Sequence, residues 1–247
     1  MIPSSEQGAR PVRVAVIGDL HVGETAQHPY RDLFGHISHE ADVLVLAGDL
    51  TNYGKIREAE ILAEDLRAAT IPVVAVLGNH DHEVGQPEEV KRILLDAGVR
   101  LLDGGEGYEI HGVGFAGCMG AMGGFGRFML SSFGEGYLKR FVHECAEEAL
   151  KLETSLRMLR TERTMVVLHY SPIPDTLVGE PLEIFPFLGS SRMAETIDRY
   201  DNVSLAVHGH AHRGTYAGRT PRGVPVHNCA APLLMQCFGR PYTIFEL

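Results

Sequence analysis

The segment Val73-Val74-Ala75-Val76-Leu77-Gly78-Asn79-His80-Asp81 decides how the rest of the chain is read. An apolar run stops abruptly at Gly-Asn-His-Asp. Short β-branched runs bounded by a turn signal read as buried strands. The three side chains after Gly78 can bind a metal or move a proton, and none is there for packing. The same event recurs along the chain. Val12 to Ile17 ends at Gly18 and is followed by Asp19-Leu20-His21, and Asp42 to Ala47 runs into Gly48-Asp49. Thr164 to Leu168 ends at His169-Tyr170, and Val203 to Val207 ends at His208-Gly209-His210-Ala211-His212.

Segments of helical spacing separate the first strands. They are His28 to Glu40, Ile56 to Ala69, and a stretch that opens with Pro87-Glu88-Glu89 and closes at Gly98. Proline and acids in a first turn favour a helix start there. His28, His36 and His39 read as solvated residues on the first of these helices. Strand, helix, strand, helix predicts a parallel sheet with helices on its faces, and such sheets bind ligands beyond the carboxyl ends of their strands. The polar clusters therefore belong to one site on geometric grounds alone. Residues 99–102, 108–110, 113–116, 215–217, 224–228 and 242–247 read as further strands. Leu138 to Leu159 reads as a long amphipathic helix and Ser191 to Tyr200 as a shorter one. No linker or repeat interrupts the pattern. This is an α/β chain, residues 1–247, forming one domain of two halves, each a sheet bearing helices, with a flexible start over residues 1–11. Residues 117–136, rich in Gly, Met and Phe, form a loop that is a candidate lid, substrate wall or homodimer interface. Its one cation, Arg127, is a candidate phosphate ligand.

Composition narrows the classes. Twenty-two Lys and Arg against 32 Asp and Glu leave a formal charge of −10, with no basic block. Such a field repels a polyanion, so nucleic acid is an unfavoured partner. Four scattered cysteines, without a C-x-x-C pair, read as free thiols of a reducing compartment. Met1 to Pro11 lacks the apolar core of a signal peptide, and no apolar run approaches the ~20 residues of a membrane span. The expectation is a soluble cytoplasmic chain.

The strand-end donors are Asp19, His21, Asp49, Asn79, His80, Asp81, His169, His210 and His212. Carboxylates, imidazoles and one amide, without cysteine, suit Mn, Fe or Zn. The set is too large for one ion and suits a pair about 3.5–4 Å apart, which clamps the attacking and leaving oxygens of an in-line displacement at phosphorus. Asp49, alone on the central strand of the first three, is the natural bridge. His208 reads as a supporting residue, and His82 and His111 as residues without a role in the site. Tyr170 and Arg213, each next to a donor, are candidate substrate contacts.

Five blocks now stand in order: D-x-H at 19–21, G-D at 48–49, G-N-H-D at 78–81, His169 after its strand, and G-H-x-H at 209–212. Together they resemble the calcineurin-like metallophosphoesterase superfamily, over residues 12 to about 217. The resemblance implies a four-layer α/β/β/α sandwich of two mixed sheets, with two divalent or trivalent ions between them. It assigns one ion to Asp19, His21, Asp49 and His212, and the other to Asp49, Asn79, His169 and His210. It makes His80 a catalytic residue that faces the substrate, and Asp81 the partner that hydrogen-bonds His80. It implies hydrolysis of a phosphoester by metal-activated water. The protein phosphatases of that superfamily carry G-D-x-V-D-R-G, whereas this chain has Gly48-Asp49-Leu50-Thr51-Asn52-Tyr53-Gly54, without the Arg. The smallest phosphodiesterases often replace the His of G-N-H by Cys, and this chain keeps His80. Its length and charge do not suit the nuclease branch. What remains is a phosphoesterase similar to the bacterial cyclic-nucleotide phosphodiesterase branch or a sugar- or lipid-linked phosphoester hydrolase, and a phosphodiesterase on a small or nucleotide-like substrate is the preferred reading. A phosphomonoesterase and a metal-binding scaffold without catalysis are the alternatives.

Overall fold

The computed structural model describes residues 10–247. The flexible start expected at 1–11 lies outside the described residues except for Arg10 and Pro11. Eleven strands and seven helices follow one another among the described residues. The first half holds β1 (Arg13–Ile17), α1 (Arg31–Glu40), β2 (Val43–Ala47), α2 (Ile56–Leu66), β3 (Val73–Val76), α3 (Pro87–Asp96) and β4 (Arg100–Leu101). Then come β5 (Gly107–Ile110), β6 (Val113–Gly117), α4 (Gly136–Met158) and β7 (Arg163–Val167). The last part holds α5 (Phe185–Leu188), α6 (Ser191–Ile197), β8 (Val203–His208), β9 (Ala217–Arg219), β10 (Pro225–Asn228), α7 (Ala231–Phe238) and β11 (Thr243–Glu246).

These strands form two mixed sheets, β11-β1-β2-β3-β4 and β5-β6-β7-β8-β10-β9. Strands β1 to β4 are parallel, and β11 closes one edge antiparallel to β1. In the second sheet β6, β7, β8 and β10 are parallel, with β5 and β9 as antiparallel edges. Successive side chains on a strand face opposite ways, and the two faces of the first sheet bury different cores. Ala15, Ile17, Leu44 and Leu46 pack with Phe34 and Ile37 of α1, Leu62 of α2 and Leu94 of α3. Val14, Val16, Val43 and Val45 face the other way, against Phe115, Met165, Val167 and Val207 of the second sheet. The outer face of that sheet, with Ala116, Val166 and Ala206, is covered by Leu152 and Leu156 of α4 and Met193 and Ile197 of α6. The layers are therefore α/β/β/α, as the resemblance implies. Strands buried on both faces read as unbroken apolar runs, which is why β2 carries no polar residue.

Two local expectations are corrected. The first helix starts at Arg31, not His28. His28 sits before it with φ +50° and bonds the buried Asp65 through Nδ1 at 2.7 Å. It is a tether between the loop and α2 rather than a solvated helix residue. Helix α7 has no counterpart in the expected elements, and it places Leu234 between the sheets. Residues 117–136 form a loop, as expected, with a single three-residue turn at Gly126–Phe128. Among the described residues no helix is long and apolar enough to cross a membrane.

Phe115 is fully buried between the sheets, so Phe115→Ala should cost about 3–5 kcal/mol in denaturant unfolding. Leu150 lies on the exposed side of α4, and Leu150→Ala should stay within about 0.5 kcal/mol. Equal effects of the two would mean that the sheet-on-sheet core is not the dominant layer.

Candidate functional site

The donors gather at the carboxyl ends of β1, β2, β3, β7 and β8, where the loops of the two sheets face one another. Within 4.8 Å of one another lie the ligand atoms of three groups: Asp19, His21 and His212; His21, Asp49 and His80; and Asp49, His169 and His210. The groups form a chain, joined through His21 and Asp49. Strand β2 lies between β1 and β3, so Asp49 emerges at the middle of the array.

Backbone conformation, rather than strand alternation, aims these side chains. Strand β1 ends at Ile17, and Asp19 and His21 both take positive φ, +59° and +46°. Asp49 and His210 do the same, at +49° and +68°. Asp and His tolerate this region better than most residues, and such outliers gather at functional sites. Pairing continues past the strands through Asp19 N–H to Gly48 O at 2.9 Å and His21 N–H to Asp49 O at 3.0 Å, which keeps the two loops in step. Close approach also requires glycine. A Cβ at Gly78 would overlap the amide and Oδ1 of Asp49, and one at Gly209 would overlap Oδ2 of Asp19.

The two carboxylates tie the sheets together. Both oxygens of Asp19, from the first sheet, accept the His210 amide of the second at 3.0 Å, and Oδ1 accepts from His212 Nε2 at 2.9 Å. Asp49 Oδ1 accepts the His80 amide at 2.9 Å and lies 3.3 Å from His169 Nε2. His169 is fully buried, and its Nδ1 donates to Ala47 O at 3.0 Å, which turns Nε2 toward Asn79 Oδ1, also at 3.0 Å. A histidine held through one nitrogen so that the other faces a common point is the usual arrangement of a metal ligand. Both ring nitrogens of His21 are buried without a hydrogen-bond partner. Unpaired buried polar atoms are costly, and a cation held at one of these nitrogens would satisfy it. By this test the donor set fits a metal centre.

The electrostatics agree. Burial holds His210 down at about 4, with the neighbouring His169 adding to the shift, and burial also lowers His21. Both are neutral at physiological pH, the form that coordinates. Burial opposes the charge of His169, but the Asp49 carboxylate outweighs it and raises that ring to about 9. Burial likewise disfavours the Asp49 anion, yet His169 and its hydrogen bond hold that carboxyl below its usual value. The hydrogen bond to Asp19 raises His212.

The expected partnership of Asp81 and His80 is not present. Asp81 is fully buried and accepts from the amides of Leu50 (3.1 Å), Thr51 (2.8 Å) and Gly78 (2.8 Å) and from Thr51 Oγ1 (2.6 Å). Its carboxylate therefore pins the β2 and β3 loops together. His80 is oriented instead by a backbone oxygen, since its Nδ1 donates to Asn52 O at 2.7 Å. Its Nε2 then faces the donors, 4.0 Å from Asp49 Oδ2, and its ring edge meets His21 at 4.6 Å. A carbonyl leaves no signal in the side-chain pattern, which is why the sequence points to the neighbouring Asp81.

The remaining candidates divide. Tyr170 is buried, with its ring centroid 4.7 Å from that of His210 and 5.4 Å from that of His169. Arg127 is exposed, and its guanidinium lies over the Phe128 ring at 4.7 Å rather than against the donors. Arg213 is exposed beside His212, and its amide donates to Glu180 Oε1 at 2.7 Å. Glu180, whose charge also helps raise His212, went unnoticed in the sequence because it lies in a loop far along the chain. His208 belongs to none of the donor groups. It is buried, its Nδ1 donates to Gly209 O at 2.7 Å, and its Nε2 meets Thr176 Oγ1 at 2.8 Å. It braces the loop that carries His210 and His212.

Comparison with known proteins gives consistent results. The family model described as Calcineurin-like phosphoesterase matches residues 12–214. A probable cyclic nucleotide phosphodiesterase of Vesicomyosocius okutanii is 22% identical over 226 residues, covering 88% of this chain and 85% of that protein. One from a Synechococcus strain is 24% identical over 234 residues, covering 89% and 80%. Among solved structures, phosphopantetheinyl hydrolase from Mycobacterium tuberculosis superposes with a TM-score of 0.68 at 17% identity, over 97% of this chain and 96% of that one. That similarity is one of fold.

Asp81→Ala should cost at least about 2 kcal/mol, because four buried donors lose their acceptor. His80→Ala, at a half-exposed position, should cost far less. Thermal or denaturant melts of both variants test this, and an Asp81→Ala protein as stable as the parent would contradict the assignment. A second expectation concerns protons. A ligand must be deprotonated to bind a cation, so loading Mn(II) near pH 7.5 should release protons from the rings that carboxylates raise, His169 foremost and His212 with it. Apparent affinity should rise roughly tenfold per pH unit until about pH 9. Calorimetry in buffers of different ionisation heat measures the release, and none would place His169 outside the ligand set.

Proposed function

We propose that this chain, which belongs to the calcineurin-like phosphoesterase family, is a two-metal phosphodiesterase acting on a small or nucleotide-like phosphodiester. The observation that carries the reading is the chain of donor groups that share His21 and Asp49. Asp19, His21 and His212 stand on one side of Asp49, and Asn79, His169 and His210 on the other. The names of the two relatives that align with most of this chain support the diester substrate. We assign one cation to Asp19, His21, Asp49 and His212 and the other to Asp49, Asn79, His169 and His210, with Mn, Fe or Zn as the ions this donor set suits.

When bound, such a pair polarises a phosphoryl oxygen and makes water nucleophilic at neutral pH. The residues of the chain do the rest. Asp49 holds the two halves of the array at a fixed separation, because its Oδ1 is already fastened to the His80 amide. His80 presents Nε2 to the substrate, with the ring turned by Asn52 O. Protonated, it donates that proton to the departing ester oxygen; before that, the same N–H steadies a phosphoryl oxygen. The wet side of the site is at His80 and His212, which are partly exposed, while His169 forms a dry back wall.

With Mn(II), a bis-aryl phosphate should be hydrolysed with higher kcat/KM than an aryl monophosphate. A large preference for the monoester would overturn the diester assignment. His80→Ala should keep its metal and fold and lose about 10²–10⁴ in kcat. Asp49→Ala should lose metal from both positions, as measured by elemental analysis after desalting. Two ions per chain retained in that variant would end the bridging assignment.

A further inference from the structure

A cavity of about 330 Å³ lies beneath the Gly-rich loop, lined by Met119, Ala121, Met122, Phe141, Cys145 and Tyr170, with Glu144 and Glu148 at its margin. That volume is at the lower end of the range for small-ligand pockets, about 300–1,000 Å³. The loop is its roof, α4 its floor and Tyr170 its end wall. Tyr170 is also the wall of the donor array, through its ring contacts with His169 and His210. Tyr170 therefore borders both the cavity and the donor array.

The roof is fastened on both sides. The amides of His169 and Tyr170 both donate to Met119 O at 3.0 Å. From α4, Cys145 Sγ donates to Met122 O at 3.3 Å, and Cys118 Sγ reaches Glu148 O at 3.5 Å. A cavity tied this way costs little to organise when a ligand enters. Its chemistry is specific as well. Thioethers of Met adapt in shape and make favourable contacts with aromatic rings, and Phe141 and Tyr170 add ring faces and edges. None of the lining residues is cationic, and the Glu148 carboxylate is paired with Lys151.

We infer that this cavity is the subsite for an uncharged aromatic substituent of the phosphoester, such as a nucleobase or an aryl group, with Tyr170 as the wall shared by substituent and phosphoryl site. The inference rests on the phosphodiesterase reading above and adds to it the class of group carried by the substrate. It also gives residues 119–122 the role of a substrate wall.

The test uses two phosphodiesters with the same nitrophenolate leaving group, one carrying a methyl and one a naphthyl substituent, on the Mn(II)-loaded full chain. The naphthyl diester should have at least about a tenfold higher kcat/KM, as burial of the ring requires. Ala121→Trp fills the cavity and Phe141→Ala removes one of its rings. In both variants, shown to be folded by circular dichroism, the ratio should fall towards one. A wild-type ratio near one, or a ratio unchanged in both variants, overturns the proposal. Binding of the uncharged fluorophore N-phenyl-1-naphthylamine to the metal-free chain separates the two readings. If neither diester is hydrolysed, the phosphodiesterase reading fails. The subsite then stands if the probe binds and Ala121→Trp abolishes that binding, and it falls if the probe does not bind or binds the variant equally.

Discussion

Two buried carboxylates hold the centre of this protein together. Asp19 and Asp49 leave neighbouring strands of one sheet; Asp19 takes its hydrogen bonds from the His210 and His212 loop of the other sheet, and Asp49 is contacted from both, by the His80 amide and by His169. Buried carboxylates are costly unless their oxygens are satisfied by donors or cations. Here the donors are backbone amides and imidazoles from distant parts of the chain. The carboxylates require His169, His210 and His212 to arrive at fixed points.

That convergence carries a local cost. Asp19, His21, Asp49 and His210 all hold positive φ, at a cost of about 1–3 kcal/mol each where context does not relieve it. The surrounding core offsets it. Each of these residues follows a strand that is almost wholly buried, and Asp81 crosslinks the β2 and β3 loops from beneath with four hydrogen bonds. The rigid layer sets the geometry, and the loops spend part of that stability on function. His80 lies at the edge of this arrangement, held by one backbone carbonyl and partly exposed, as the proposed contact with substrate requires.

Much of this is legible in the sequence, for identifiable reasons. The strands β1, β2, β3, β7 and β8 are short apolar runs that end at polar residues, so both their burial and the place of their donors can be read directly. The central position of Asp49 follows from the order of strands and helices. Backbone groups are where that reading stops. Asn52 O orients His80, and the amides of Leu50, Thr51 and Gly78 claim Asp81, but no side-chain pattern announces either. Asp19 and His21, two residues apart, would share a direction on a continued strand, but they reach it by left-handed backbone, which the sequence does not show. Glycine spacing at Gly78 and Gly209 marks a close approach without saying what approaches. Helix α7 is hidden by its short length and by the lack of acids in its first turn.

The most direct measurement is anomalous diffraction from crystals of the full chain soaked in Mn(II). The account predicts two peaks about 3.5–4 Å apart, one on either side of the Asp49 carboxylate, one beside His21 and His212 and the other beside His169 and His210. A single peak, or a pair that leaves Asp49 out of contact with either ion, would contradict it.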